Sequence, residues 1–314
     1  MKPFFKWSGG KRRELIHIKP YMPNEYKIYY EPFVGAGALW LDLEPPNAVV
    51  NDNYADVINF YNVLKSDTEK LVNEINKLSC NYNNEVAALK ENPQLEVQID
   101  NLKDIIGVLS DEKKIKIKKK QLENLKSALK KDFQLIADKY YYHYRDMKFT
   151  SDYEKALRFY ILRQLSFSGM LRFSADGNYN IPFGWYKKLK GMEHGIDKIK
   201  TVLGNTKFLC RDWRSTVNDA TVEDFVFLDP PYTTRVFNKY HPSGNFGRVE
   251  QMKLADWFKT KQSRALIIIN KDEFTEGLYG KYIVDVHDYR YAVQYRDRMK
   301  EKDSKVKHLI AKNY

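Results

Sequence analysis

The chain reads as an α/β protein whose parallel sheet is interrupted in sequence by a long, mainly helical insertion. Three observations predict this. The first 65 residues alternate as strand, loop, helix, strand, helix, the opening of a parallel sheet. A central stretch from about 66 to 204 carries helical spacing and charge. Short apolar strands then resume to the C-terminus.

In order, Tyr26 to Tyr30 reads as a strand, closed by Glu31-Pro32-Phe33-Val34-Gly35-Ala36-Gly37. Leu39, Trp40, Leu41 and Leu43 then suggest a helix, which Pro45-Pro46 stops. Ala48-Val49-Val50 is a short strand ending in Asn51-Asp52. From Ala55 to Leu64, apolar residues fall at helical spacing. Between about 84 and 139, Leu102, Ile105, Ile106 and Leu109 mark one helical face and Leu122, Leu125, Leu129, Phe133 and Ile136 another. Lys113 to Lys120 holds six lysines in eight residues, so a charged helical hairpin is expected there. Strands are expected at Lys207 to Cys210, Phe225 to Leu228, Ala265 to Ile269, Tyr282 to Val286 and Lys307 to Ala311, with a helix over Val249 to Lys261. Residues 1–65 and 205–314 thus make the sheet domain and 66–204 the insertion.

The 314 residues suffice for a full core and an appendage. Lys and Arg total 53 against 41 Asp and Glu, a net charge of +12. That balance favours polyanion partners; heavy lysine use by an AT-rich genome would give the same excess. Cys80 and Cys210 lie far apart, and no CxxC, HExxH or Cys/His cluster occurs in the sequence. Neither a metal site nor a disulfide framework is therefore expected. No stretch is apolar enough to cross a bilayer and no signal peptide is evident, which predicts a soluble intracellular protein.

Four motifs carry chemistry. In Gly35-Ala36-Gly37, two glycines between a strand and a helix let backbone approach a ligand near a helix N-terminus. Asp52, at the end of the next strand, can accept hydrogen bonds from ribose hydroxyls. No GK[ST] follows, which excludes a phosphate-binding P-loop. Phe5-Lys6-Trp7-Ser8-Gly9-Gly10-Lys11 could wrap a charged ligand. Asp229-Pro230-Pro231-Tyr232 follows the apolar run Phe225 to Leu228. It therefore sits at a strand's carboxyl end, where open α/β sheets build their sites. A carboxylate, an unused proline carbonyl and a flat ring suit a planar substrate bearing an amino group. Adenine N6 is a poor nucleophile because its lone pair is delocalised into the ring. Hydrogen bonds from that amino group to Asp229 and to the Pro230 carbonyl would localise the pair, and Tyr232 would stack on the base. The fourth motif is Phe167 to Phe173 followed by Asn180-Ile181-Pro182-Phe183-Gly184, where an arginine among aromatics could read guanine.

In this order the motifs resemble the Dam-type, D12 class DNA adenine-N6 methyltransferases. Lys6 to Lys11 looks like the family's KWAGGK, Phe33 to Gly37 matches its FxGxG, Asp229 to Tyr232 its DPPY, and Asn180 to Gly184 is similar to its FNVPFG. The tail Arg298 to Tyr314 also resembles the family's ending. The resemblance implies a Rossmann-like methyltransferase sheet with an inserted target-recognition domain at 66–204. It also implies S-adenosylmethionine as cofactor and a flipped-out adenine of double-stranded DNA as substrate. Trp7, Gly10, Lys11, Phe33, Gly35, Gly37, Asp52, Asp212 and Asp229 fall on cofactor positions. Asp229, Pro230 and Tyr232 fall on catalytic ones. Lys6, Phe167, Met170, Arg172 and Pro182 fall on DNA contacts, and a cognate restriction endonuclease is an implied partner. The recognition segment departs from the family's NRxGFNGLxRYN: Ser168 stands for an Asn and Met170 for a Leu. The GATC target of many relatives is therefore not carried over, and the lysine-rich hairpin lies outside the resemblance. An RNA adenine or DNA cytosine-N4 methyltransferase, or an inactive DNA-binding relative, would share the amine site. Asp before the prolines favours adenine, and intact Asp52, Asp229 and Tyr232 favour activity.

Overall fold

A computed structural model describes residues 1–90, 93–174, 176–232, 246–290 and 305–314. Among these, seven strands form one sheet: β1 (Tyr29–Glu31), β2 (Ala48–Asn51), β3 (Thr206–Leu209), β4 (Phe225–Leu228), β5 (Arg264–Asn270), β6 (Ile283–Arg290) and β7 (Lys305–Lys312). Their order is β3-β2-β1-β4-β5-β7-β6. The first five run parallel, and β7 is antiparallel to both β5 and β6. From β1 the chain builds outward through β2 and β3, then returns to place β4 on the other side of β1. The strand order therefore reverses between β1 and β4, and the crevice at their carboxyl ends is the sheet's switch point.

Alternation explains why the central strands hold. In β4 all four residues are buried; Phe225 and Phe227 enter one hydrophobic cluster, Val226 and Leu228 the other. Leu266 and Ile268 of β5 join the first cluster, and Ala265, Ile267 and Ile269 the second. With both faces covered, these strands read as unbroken apolar runs, which is how the sequence shows them.

The helices are α1 (Leu15–Ile18), α2 (Ala38–Leu43), α3 (Ala55–Ser66), α4 (Thr68–Lys90), α5 (Pro93–Val108), α6 (Glu112–Ala137), α7 (His143–Asp146), α8 (Asp152–Leu165), α9 (Ile196–Gly204), α10 (Trp213–Thr216), α11 (Arg248–Thr260) and α12 (Glu273–Tyr279). The charged hairpin is narrower than its expected span of 84–139. Residues 84–90 complete α4, whose Tyr82 and Val86 are buried, and the hairpin is α5 with α6. Asp111 caps α6 by accepting from the N–H groups of Lys113 and Lys114. Within the insertion, α8 lies along α3, with the rings of Phe60 and Tyr160 stacked at 6.0 Å. Leu71, Ile75, Phe159 and Leu162 share a hydrophobic cluster with the sheet. After α8 the chain makes a short 3-10 turn (Phe167–Gly169) and is held by bridges Ser166 to Phe183 and Phe173 to Tyr179. The expected tail from Arg298 lies outside the described residues as far as Ser304; β7 (Lys305–Lys312) forms most of the rest, and Asn313 and Tyr314 follow it. No helix among the described residues is long and apolar enough to cross a membrane.

Candidate active site at the switch point

Three loops meet at the carboxyl end of the sheet, and Asn51 ties them. Its Nδ2 donates to the carbonyls of Pro32 and Arg211, each at 3.0 Å, and its Oδ1 accepts from the Arg211 N–H. After β1 the chain turns through Gly35 (φ 46) and Gly37 (φ 63) into α2. Both values are left-handed, which glycine adopts without steric cost. A Cβ on Gly35 would lie 2.4 Å from Trp7 Nε1, so the loop needs glycine for space as well. Asp52 fixes this loop: Oδ2 accepts from the Gly35 N–H at 2.9 Å and Oδ1 from the Tyr54 N–H at 2.9 Å. Burial pushes the Asp52 carboxyl up to about 6 despite those two bonds. Trp7 stacks near Tyr54 at 6.5 Å and lies under the Arg163 guanidinium at 4.9 Å. Trp7, Gly35 and Asp52 are thus brought together at one place on this edge of the sheet.

The turn after β4 is the second wall. Lys11, only 4% exposed, places Nζ 2.9 Å from Asp229 Oδ1. The same ammonium donates to the Gly9 carbonyl at 2.7 Å and lies 5.0 Å from the centre of the Tyr232 ring. Burial raises Asp229 to about 6, with Lys11 opposing and the Glu14 charge adding to the rise. Gln251 of α11 donates to the Pro231 carbonyl at 2.8 Å. The Pro230 carbonyl accepts no hydrogen bond from the described residues. A carboxylate and an open carbonyl therefore stand one residue apart beside a tyrosine ring, as the sequence predicts.

The remaining expected residues have the following surroundings. Phe33 is half-buried against Trp213 and Phe246. Gly10 closes a turn onto the Trp7 carbonyl. Asp212 is exposed, caps α10 by accepting from the Arg214 N–H, and pairs with the Arg214 side chain at 2.8 Å. Lys6 turns inward: Nζ donates to the Gln164 carbonyl at 2.7 Å and lies 3.3 Å from the centre of the Tyr186 ring. Burial lowers its ammonium to about 8. Phe167, Arg172 and Pro182 reach the surface. Arg172 is clamped by Asn180, through Oδ1 at 2.8 Å and the carbonyl at 3.0 Å. Met170 is buried at 7% exposure, with its carbonyl taking bonds from Arg163 and Tyr179. Its side chain meets the core rather than solvent.

Sequence reading missed four residues that build the site. Glu31 ends β1, fully buried, accepting from the Tyr29 hydroxyl at 2.7 Å and the Trp40 N–H at 3.2 Å. Burial, with the charges of Asp229 and Asp52 nearby, raises its carboxyl to about 8. Asn51 is the cross-tie above. Arg163 is fully buried and donates to the carbonyls of Lys6, Met170 and Gly169, stitching the N-terminal motif to the stretch Phe167 to Phe173. Glu14 accepts from His308 and from His287. No metal is expected from sequence spacing, yet the fold gathers Glu14, His287 and His308 with ligand atoms within 4.8 Å of one another. An acid at a strand end was a signal for Glu31; nothing in local sequence marked the others.

Comparison with known families decides what this arrangement serves. The family described as D12 class N6 adenine-specific DNA methyltransferase matches residues 7–110 and 86–294. The chain belongs to that family. D12 class enzymes use S-adenosylmethionine in general and act on adenine in DNA. The chain is 27% identical over its whole length to the type II methyltransferase M1.LlaDCHI of Lactococcus lactis subsp. cremoris, of which the match covers 96%. Another relative, the type II methyltransferase M.CviBI of Paramecium bursaria Chlorella virus NC1A, is 27% identical with both chains covered fully. A DNA adenine methylase of Haemophilus influenzae is 27% identical, covering 99% of this chain and 93% of its own. The matched stretches run from residue 7 to residue 294 and so include Trp7, Gly35, Asp52 and the Asp229 turn.

Proposed function

We propose that Trp7, Lys11, Gly35 and Asp52 hold S-adenosylmethionine and that Asp229, Pro230 and Tyr232 hold the adenine of double-stranded DNA. The observation that carries this reading is the pairing of Asp229 with an open Pro230 carbonyl beside Tyr232. These residues fit the cofactor on their own terms: Gly35 has no room for a side chain, and each Asp52 oxygen, although it already accepts one backbone N–H, keeps a second lone pair with which to accept from a ribose hydroxyl. When bound, S-adenosylmethionine supplies an electrophilic methyl group. Asp229 and the Pro230 carbonyl accept the two N–H bonds of the adenine amino group and localise its lone pair. Tyr232 stacks on the base. Asp229, lifted to about 6, then holds the proton that the methylated amine releases. Lys11 keeps Asp229 ionised beforehand, so transfer should fall as pH drops through about 6.

Asp229→Ala removes the amine's acceptor. Methyl transfer should fall by roughly 1000-fold or more, with DNA affinity changed less than about threefold, as measured by labelled-methyl incorporation and equilibrium binding. Near-normal turnover would overturn the mechanism. Nucleoside mass spectrometry separates adenine from cytosine products, and DNA from RNA. Arg172, Phe167 and Pro182 are the surface residues for DNA contact. The type II names of two relatives support a partnership with a cognate restriction endonuclease. Resistance of DNA from expressing cells to that nuclease is its test.

The α5–α6 hairpin extends this DNA surface. Phe133 of α6 packs on Phe183 and Trp185, each at 5.9 Å, and the Tyr141 hydroxyl donates to the Ile181 carbonyl at 2.7 Å. The hairpin base is thereby joined to the recognition segment. At 1.5 Å per residue, Lys113 to Lys120 stand roughly 20–30 Å further along α6. Replacing the six lysines with Gln should flatten the salt dependence of binding on long duplexes and leave short ones unaffected. An equal salt slope for both proteins on long duplexes would reduce the run to a solvated face.

A further inference from the structure

We propose that Glu14 and His308 are positioning residues for Tyr232, so that one N-terminal turn orders both ends of the Asp229 to Tyr232 turn. The inference rests on the adenine reading above and goes beyond it. Lys11 and Glu14 lie one turn apart, closed by the Glu14 N–H donating to the Lys11 carbonyl at 2.8 Å. Lys11 holds Asp229 directly. Glu14 works through an intermediary. Its Oε2 accepts from His308 Nδ1 and, at 3.0 Å, from His287 Nε2. These two histidines are cross-strand partners on β6 and β7, so one carboxylate orients a pair of facing imidazoles. Glu14 is buried at 1% exposure and His308 fully.

The His308 ring is the surface against which Tyr232 rests. Their centroids are 5.4 Å apart at 71°, an edge-to-face contact. Tyr289 of β6 stacks on His308 at 4.6 Å and 19° from the side. A histidine ring turns readily about its last side-chain bond unless a hydrogen bond fixes it. Here the Glu14 bond adds that restraint to the packing of Tyr289, and the ring's orientation in turn helps to set the tilt of Tyr232. Since Tyr232 must lie parallel to the base, a small error in its tilt separates the amine from Asp229 and the Pro230 carbonyl. Misplacements on that scale cost large factors in rate.

Two substitutions divide the chain of contacts. His308→Phe keeps a ring against Tyr232 but removes the donor to Glu14. Glu14→Gln keeps the shape and removes the charge. Protein labelled with 3-fluorotyrosine reports the Tyr232 ring by ¹⁹F NMR, with the resonance assigned by its loss in Tyr232→Phe. In both variants that resonance should shift and broaden. Single-turnover transfer should fall roughly tenfold or more, while S-adenosylmethionine affinity stays within about twofold. The double variant should be no slower than His308→Phe, because both act through one path. An unmoved resonance would overturn the proposal, as would a loss of cofactor affinity equal to the loss of rate, which marks general damage. If His308→Phe does not fold, Glu14→Gln carries the same readouts. Absence of transfer by the unaltered protein would defeat the adenine reading, and the resonance would still decide whether Glu14 and His308 position Tyr232.

Discussion

At the carboxyl ends of β1 and β4, Lys11, Asp52 and Asp229 are buried or half-buried and held by charge or backbone partners, whereas along residues 166–186 Phe167, Arg172 and Pro182 stand at the surface and Ser168 and Trp185 carry left-handed backbone. Lys11 is 4% exposed with Asp229 against it, and Asp52 spends both oxygens on backbone N–H groups. In residues 166–186 Phe167 is 47% exposed, Arg172 is exposed, and Ser168 (φ 53) and Trp185 (φ 55) adopt the left-handed backbone that side chains resist. On the proposed function, the difference follows from what each region would meet. A cofactor site and an amine acceptor would gain from groups fixed in place before the ligand arrives. A surface proposed to read bases would have to leave its side chains reachable, and strain of this kind collects where binding sustains it.

Arg163 bridges both regions with a fully buried guanidinium, and its replacement should have the largest effect. It lies over Trp7 and donates to carbonyls of Lys6, Gly169 and Met170. Arg163→Met keeps much of the volume and removes every donor, leaving buried carbonyls without partners. The cost should reach about 3 kcal/mol or more, seen in denaturant unfolding. Cofactor affinity and DNA affinity should fall together. Loss of DNA binding with cofactor affinity intact would show that the regions are uncoupled.

This asymmetry also explains what the sequence disclosed. The sheet was legible because β4 and β5 are apolar on both faces and end in turn residues with few alternatives. The Asp229 turn was legible because proline, carboxylate and ring stand side by side in the chain. Arg163, Asn51 and the Glu14–His308 pair were not, since their roles arise only when segments more than 150 residues apart meet. Met170 failed for a related reason. Its neighbours Phe167 and Arg172 are exposed, and local sequence cannot tell that the turn at Ser168 and Gly169 folds it inward.

A smaller effect is expected at the surface. Arg172→Ala should leave unfolding within about 0.5 kcal/mol of the unaltered protein, as exposed substitutions do. It should relax discrimination at one base position by about 1–3 kcal/mol. Transfer rates on a panel of single-base variants of the target provide the measurement. A uniform loss across all sequences would instead make Arg172 a phosphate contact, and a large fall in stability would erase the contrast between the two regions.

The smallest effect is a slope. Glu31 lies beneath the site, with a carboxyl near 8 in the folded chain against 4.5 when unfolded. The native state therefore holds this proton more tightly than the unfolded state does. Its contribution to stability is complete below about 4.5 and declines as pH rises from there through about 8. Glu31→Gln can still accept from the Tyr29 hydroxyl and the Trp40 N–H but has no proton to lose. Its melting temperature, relative to that of the unaltered protein, should rise steadily between pH 5 and pH 8, by roughly 5 °C at the upper end. Removing the negative charge that Glu31 gains on ionising should also ease ionisation of Asp229 and Asp52, so the acid limb of methyl transfer should not move upward. A Glu31→Gln protein whose relative stability is flat with pH would mean that this carboxyl is already ionised when folded. Glu31, Asp52 and Asp229 would then bring three negative charges together, with Lys11 as the cation placed against Asp229, and the order of this end of the sheet would depend on that lysine far more than burial alone implies.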